Sequence, residues 1–251
     1  MTDFDLAVCA EMVFRDLPIL ERVRRIDALG FAVEIWSWHG KDLAALAATG
    51  ARFSSMTGYL HGDLIDPASA DEVVQTAELS IKAAETLGVP RLNLHTAELV
   101  DGQAARPRQR ATGQMWLTAQ RTLERIGELG AKAGVTFFCV ENLNTIVDHP
   151  GVPLARAKDT LALIEGVDHP NVKMMLDLYH AQIGEGEPRR AGPPLRPGDR
   201  RDPGRRRPPA AANRAPVRFT TPRSQRHCAT WVIAARSASR HGRPGGTATR
   251  H

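Results

Sequence analysis

Short apolar runs alternate with amphipathic stretches six times between residues 6 and 177, an order that few architectures accept. Strands read at Leu6-Ala-Val-Cys-Ala10, 32–36, 51–56, Leu92-Asn-Leu-His95, 135–141 and 172–177. Between them, helical periodicity runs through 17–29, 43–48, 71–87, about 111–133 and 153–165, with Asp71 as an N-cap. Gly30, Gly88 and Gly134 stand where helices stop. Parallel neighbours need helical crossovers, so the order calls for a parallel sheet, either doubly wound or closed as a (β/α)8 barrel. No GxGxxG follows the first strand, which disfavours a dinucleotide-binding fold. Polar residues instead end several strands: His95, Glu141 with Asn142, and Asp177 with His180. Barrels build their sites at those ends. The expected fold is therefore an α/β TIM barrel, incomplete, with six visible βα units.

Charge divides the chain near residue 187. The net +5 conceals 17 Lys+Arg against 26 Asp+Glu in residues 1–187, and 16 Arg against two acids in 188–251. The second stretch also holds ten prolines and almost no apolar periodicity, so ordering it would cost backbone entropy that burial cannot recover. The expected organisation is a partial barrel over 1–186 and a disordered basic tail over 187–251. Such a tail attracts polyanions without specificity, and it lacks the aromatic interleaving and motifs of a nucleic-acid reader. No apolar run approaches a membrane span, and MTDFDLAVCAEM lacks a basic leader region; a cytoplasmic protein is expected. Cys9, Cys139 and Cys228 are too dispersed for a disulfide framework or zinc knuckle.

Glu141 and Asp177 each end an apolar strand. Either alone reads equally well as a helix cap or an ion-pair partner. Together they place two carboxylates at adjacent strand ends, where a pair can hold a hard divalent cation while one carboxylate moves a proton. An oxygen-rich set favours Mg²⁺ or Mn²⁺ over zinc. His95 and His180 are weaker signals, readable as half-buried structural residues or as substrate-binding donors. Trp36 and Trp38 read as a pocket wall or core packing.

Ala32-Val-Glu-Ile-Trp-Ser-Trp38, Val140-Glu-Asn-Leu-Asn144, Val147-Asp-His-Pro-Gly151 with Leu154-Ala-Arg-Ala157, and Met175-Leu-Asp-Leu-Tyr-His-Ala-Gln-Ile-Gly184 resemble the hydroxypyruvate isomerase family, a group of xylose-isomerase-like TIM barrels. The resemblance covers residues 1 to about 186. It implies interconversion of hydroxypyruvate and 2-hydroxy-3-oxopropanoate by glutamate-mediated proton transfer through an enediol. It also implies that Glu141 is one of two catalytic glutamates and that Asp177 belongs to a metal set completed by later strands. A related sugar or keto-acid isomerase or epimerase uses the same chemistry. A phosphodiesterase of the related endonuclease type would need more His and Asp ligands.

The later strands of the family do not follow residue 186. Arg, Pro, Ala and Gly in bulk are what GC-rich DNA yields when translated out of frame. Codons for Asp199 to Pro208 exist that, read one base later, give IGEIQVADV, a seventh barrel strand with the family's Gln. Those for His227 to Gly242, read two bases later, permit LRDMGYRGTVGLEAWA. Two frame changes are expected, near 185–198 and 208–212. The chain as it stands should then be an impaired or catalytically dead product, with the barrel open after its sixth strand and a tail that binds anions non-specifically.

Overall fold

A computed structural model describes residues 5–134, 137–186 and 228–232. The core is a parallel sheet whose strands are joined through helices: β1 (Ala7–Cys9), α1 (Ile19–Ala28), β2 (Ala32–Glu34), α2 (Leu43–Ala47), β3 (Phe53–Thr57), α3 (Ala70–Leu87) and β4 (Arg91–Leu94). A two-stranded hairpin, β5 (Leu99–Val100) and β6 (Gln103–Ala104), interrupts the alternation. Then come α4 (Gly113–Ala133), β7 (Phe137–Glu141), α5 (Ala157–Val167), β8 (Val172–Asp177), α6 (Leu178–Glu185) and β9 (Cys228–Val232). The sheet order is β1-β2-β3-β4-β7-β8-β9, with every neighbouring pair parallel. All six expected strands are present, and within the described residues the sheet runs from edge to edge without closing. It is an incomplete barrel.

Side-chain alternation sorts the strands into two faces. Leu92 and Leu94 of β4, and Phe138 and Val140 of β7, bury in one cluster with Ile26, Ile81, Leu123 and Ile164 from the helices. Asn93, His95 and Glu141 point to the opposite, inner face, where they meet one another. A period of two makes this partition automatic once one face is apolar. Gly88 and Gly134 close α3 and α4 in the left-handed region, at φ +66° and +67°, as glycine permits.

Several expectations need correction. α3 begins at Ala70 with Ser69 in the cap position, so Asp71 lies in the first turn, where its charge still suits the helix dipole. α5 starts at Ala157 rather than 153, because Leu154 sits at φ +53° and Arg156 is extended. Residues 135 and 136 lie outside the described set, and β7 begins at Phe137. The sheet does not end at its sixth strand. Cys228-Ala-Thr-Trp-Val232 pairs with β8 from Met174 to Asp177, a β-prone run meeting the free backbone groups of an edge strand. The expected disorder of the basic tail otherwise falls outside the described residues. Among those described, no helix is long and apolar enough to cross a membrane.

The loops after β3 and β4 are fastened to each other. Asp63, fully buried, accepts from the Glu98 backbone N–H at 2.7 Å and from Arg106 Nε at 2.8 Å. Glu98 accepts in turn from the Gly62 N–H at 3.0 Å, and Arg108 pairs with Asp66 at 2.8 Å. The β5–β6 turn carries Asp101 and Gly102 at φ +51° and +79°, the two positive values that a tight Asp-Gly hairpin turn requires.

Candidate active site

Glu141 ends β7 with its side chain almost wholly enclosed. Asn93 Nδ2 donates to its Oε2 at 2.6 Å, and His95 Nε2 lies 3.2 Å from the same oxygen. The far side of the His95 ring is fixed by Tyr59, whose hydroxyl is 3.1 Å from Nδ1 and donates to the Ala97 carbonyl at 3.2 Å. Burial alone would raise the Glu141 carboxyl. The hydrogen bond and charge of His95 and donation from Asn93 outweigh it and hold the group below the ordinary range.

Asp177 ends β8 and caps α6, accepting from the His180 N–H at 2.9 Å through Oδ1. The helix-cap reading of this residue therefore holds, through Oδ1. Asn142, next to Glu141, clamps the Asp177 backbone: its Oδ1 accepts from the Asp177 N–H at 2.8 Å and its Nδ2 donates to the Asp177 carbonyl at 3.0 Å. The two carboxylates are therefore held in a fixed relation by one amide. Burial, and then repulsion from Glu141 against the opposing cap bond, raise the Asp177 carboxyl. Two neighbouring acids driven in opposite directions form the pattern of an acid–base site.

His180 joins them, and ligand atoms from Glu141, Asp177 and His180 all lie within 4.8 Å of one another. Hydrogen bonding argues against the imidazole as a metal ligand. Asn144 Oδ1 accepts from the Val147 and Asp148 N–H groups, each at 3.0 Å, which fixes the amide so that Nδ2 meets His180 Nδ1 at 2.8 Å. Nδ1 then accepts, and the neutral ring carries its proton on Nε2, which faces Asp177 Oδ2 at 3.9 Å. A donor there suits a substrate oxygen better than a cation. The donor set that fits an ion is the pair of carboxylates.

Three further residues enter that the sequence did not single out as site residues. Glu34, at the end of β2, accepts from Ser55 Oγ at 2.9 Å through Oε2. Its carboxyl is pushed up to about 7, first by burial and then by the charges of Glu141, Glu11 and Asp177, against the Ser55 bond. His149 packs edge-on against His180, with ring centres 5.0 Å apart, and its Nδ1 lies 2.6 Å from the Gly102 carbonyl of the hairpin turn. Asn93 carries the shortest bond to Glu141. Only alternation along β4 could have flagged it, two positions before His95. The tryptophans separate: Trp38 packs on the core and donates to Ser80 Oγ at 2.9 Å, whereas Trp36 is 56% exposed and packs no core.

Residues 29–210 match the model of the xylose isomerase-like TIM barrel family. A Danio rerio protein provisionally named hydroxypyruvate isomerase is 27% identical over 196 residues, covering 72% of this chain and 70% of the relative. Among solved structures, Escherichia coli 3-keto-D-glucoside 4-epimerase aligns with a TM-score of 0.54 at 23% identity, over 73% of this chain and 72% of its own. D-psicose 3-epimerase in the presence of D-fructose aligns at 0.58 and 18%, over 72% and 66% of the two chains. The IOLI protein with a bound zinc atom aligns at 0.56 and 14%, over 71% and 64%. At those identities the structures speak for the fold alone, and it is the fold built above from alternation and register. The chain belongs to the xylose isomerase-like TIM barrel family.

Proposed function

We propose that the protein is an isomerase that moves a proton between adjacent carbons of a small hydroxy-carbonyl compound through an enediol, with hydroxypyruvate and 2-hydroxy-3-oxopropanoate as the substrate pair. The observation that carries this reading is Glu141: an enclosed carboxylate at a strand end, one oxygen held by Asn93 and His95, its other oxygen without a partner among the described residues. A base so placed can take the C3 proton and return it at C2. His180 Nε2–H is the donor placed to meet developing charge on a substrate oxygen, and His95 orients the base. The Danio rerio relative supports the substrate pair.

Glu141 and Asp177 are the residues that would hold a divalent cation. Bound there, Mg²⁺ or Mn²⁺ would supply positive charge against the enediolate. An all-oxygen protein donor set favours those ions over zinc.

A second reading, epimerisation of an uncharged sugar, has its own support. Glu11, Glu141 and Asp177 all act electrostatically on Glu34, and Lys41 is taken by Glu11 at 2.9 Å. So acidic a surface suits a neutral substrate. Incubating protein made from the native gene with hydroxypyruvate and, separately, D-fructose, followed by ¹H NMR, separates the two. Conversion of hydroxypyruvate that falls about 10²–10⁴-fold in Glu141→Gln supports the first reading. Conversion of neither compound removes both.

We also read residues 187–251 as translated out of frame, on composition and on the family strings hidden in the alternative frames.

A further inference from the structure

Glu34 has no structural task that explains it. It is half-buried, and among the described residues it lacks the Lys or Arg partner that enclosed carboxylates in structural roles take. Lys41, which follows β2 in the chain, is committed to Glu11 and to the Ser37 carbonyl. Glu34 has one hydrogen bond, from Ser55 Oγ, and among the described residues nothing binds its other oxygen. It stands at the C-terminal end of β2, opposite Cys9 on one side and Ser55 on the other, at the same end of the sheet as Glu141. Both Glu141 and Asp177 act on it electrostatically.

An enediol isomerisation needs two proton transfers at carbon and two at oxygen. Glu141 serves the carbons. We propose that Glu34 is a further catalytic residue, the acid–base group that serves the substrate oxygens; this rests on the isomerase reading above. In the forward direction the Glu141 carboxylate takes the C3 proton, the C3–H electron pair becomes the C2=C3 bond, and the carbonyl π pair moves to O2, which takes the proton of the Glu34 carboxyl. In the second step the Glu34 carboxylate takes the O3 proton, the O3–H pair becomes the C3=O3 bond, and the C2=C3 pair takes back the Glu141 proton at C2. Both carboxyls end as they began, and nothing is oxidised or reduced overall. A carboxyl that titrates near neutrality is available in both states the cycle uses. Ser55, donating to Oε2, leaves Oε1 for the substrate.

The two half-jobs can be measured separately. Protein from the native gene is incubated with hydroxypyruvate in D₂O, and ¹H NMR follows both loss of the C3–H signal to deuterium and appearance of 2-hydroxy-3-oxopropanoate. Glu34→Gln still offers an amide donor to O2 but cannot take the O3 proton, so C3 exchange should fall by about tenfold or less while product formation falls by about 10²-fold, the ordinary worth of one general acid–base group. Ser55→Ala, which keeps the carboxyl but frees its orientation, should show the same split at smaller size and covers the case in which Glu34→Gln does not fold. Undiminished product formation in both variants overturns the assignment, as does an equal loss of exchange and product. If wild-type protein shows neither exchange nor product, the isomerase reading fails and this inference with it; a wild-type reaction without the split fails this inference alone.

Discussion

Asn142→Ala isolates the clamp that fixes Asp177 against Glu141. Asn142 is 1% exposed, and both of its polar atoms are spent on the Asp177 backbone. Its removal strands a buried N–H and a buried C=O at the end of β8. Each unsatisfied group costs about 1–3 kcal/mol, so the variant should lose about 2–6 kcal/mol, out of about 5–15 kcal/mol for a typical domain. With a urea dependence of about 2 kcal/mol per molar, the unfolding midpoint should fall by about 1–3 M. Urea titration followed by far-ultraviolet circular dichroism measures it. Ile146→Ala, at a site 70% exposed, is the control and should stay within about 0.5 kcal/mol of wild type. A midpoint for Asn142→Ala within about 0.3 M of wild type would refute the reasoning, because the Asp177 backbone would then have found other partners or never needed these.

The Glu34 carboxyl has a folded value of about 7 against an ordinary 4.5, so its contribution to stability is complete below pH 4.5 and is lost as pH rises through 7. Urea midpoints at pH 5 and pH 8 should therefore drop more in wild type than in Glu34→Gln, and equal drops would sink that account. Asp177→Ala should weaken Mn²⁺ binding by at least about tenfold in calorimetry, whereas His180→Ala should leave it within about threefold if the imidazole is a donor rather than a ligand. The intact mass of protein from the native gene should differ from 27.4 kDa, with resequencing showing frame changes near codons 185–198 and 208–212; a mass equal to that of the present chain ends the frame argument.

The strands and helices were legible because each buries one face against a common core, and that geometry writes its period directly into residues such as Leu92, Leu94, Phe138 and Val140. Glu141 and Asp177 were legible for a related reason: a carboxylate closing an apolar strand breaks the pattern where barrels hold their chemistry. Glu34 broke the pattern in the same way but stood between Val33 and Ile35, both fully buried, and without the partner strands nothing in the line of letters told an inward acid from an exposed one. The β5–β6 hairpin was beyond reach for another reason. Its strands are two residues long, and only the Asp101-Gly102 turn announces it. The pairing of β9 with β8 depends on an edge in space rather than on any period in the chain.

Asp63 gives the two loops it joins a shared fate. The segment after β4 does not rest on the barrel by its own contacts alone; it hangs from a carboxylate in the segment after β3, through the Glu98 amide and Arg106. A replacement loop grafted at either place would meet half of a joint and leave a buried charge without its donors. Shape on this side of the mouth can thus be inherited or engineered only as a cassette running from His61 to Arg108. Variation between relatives should come in matched pairs across the two segments, while single exchanges are selected against before they ever touch a substrate.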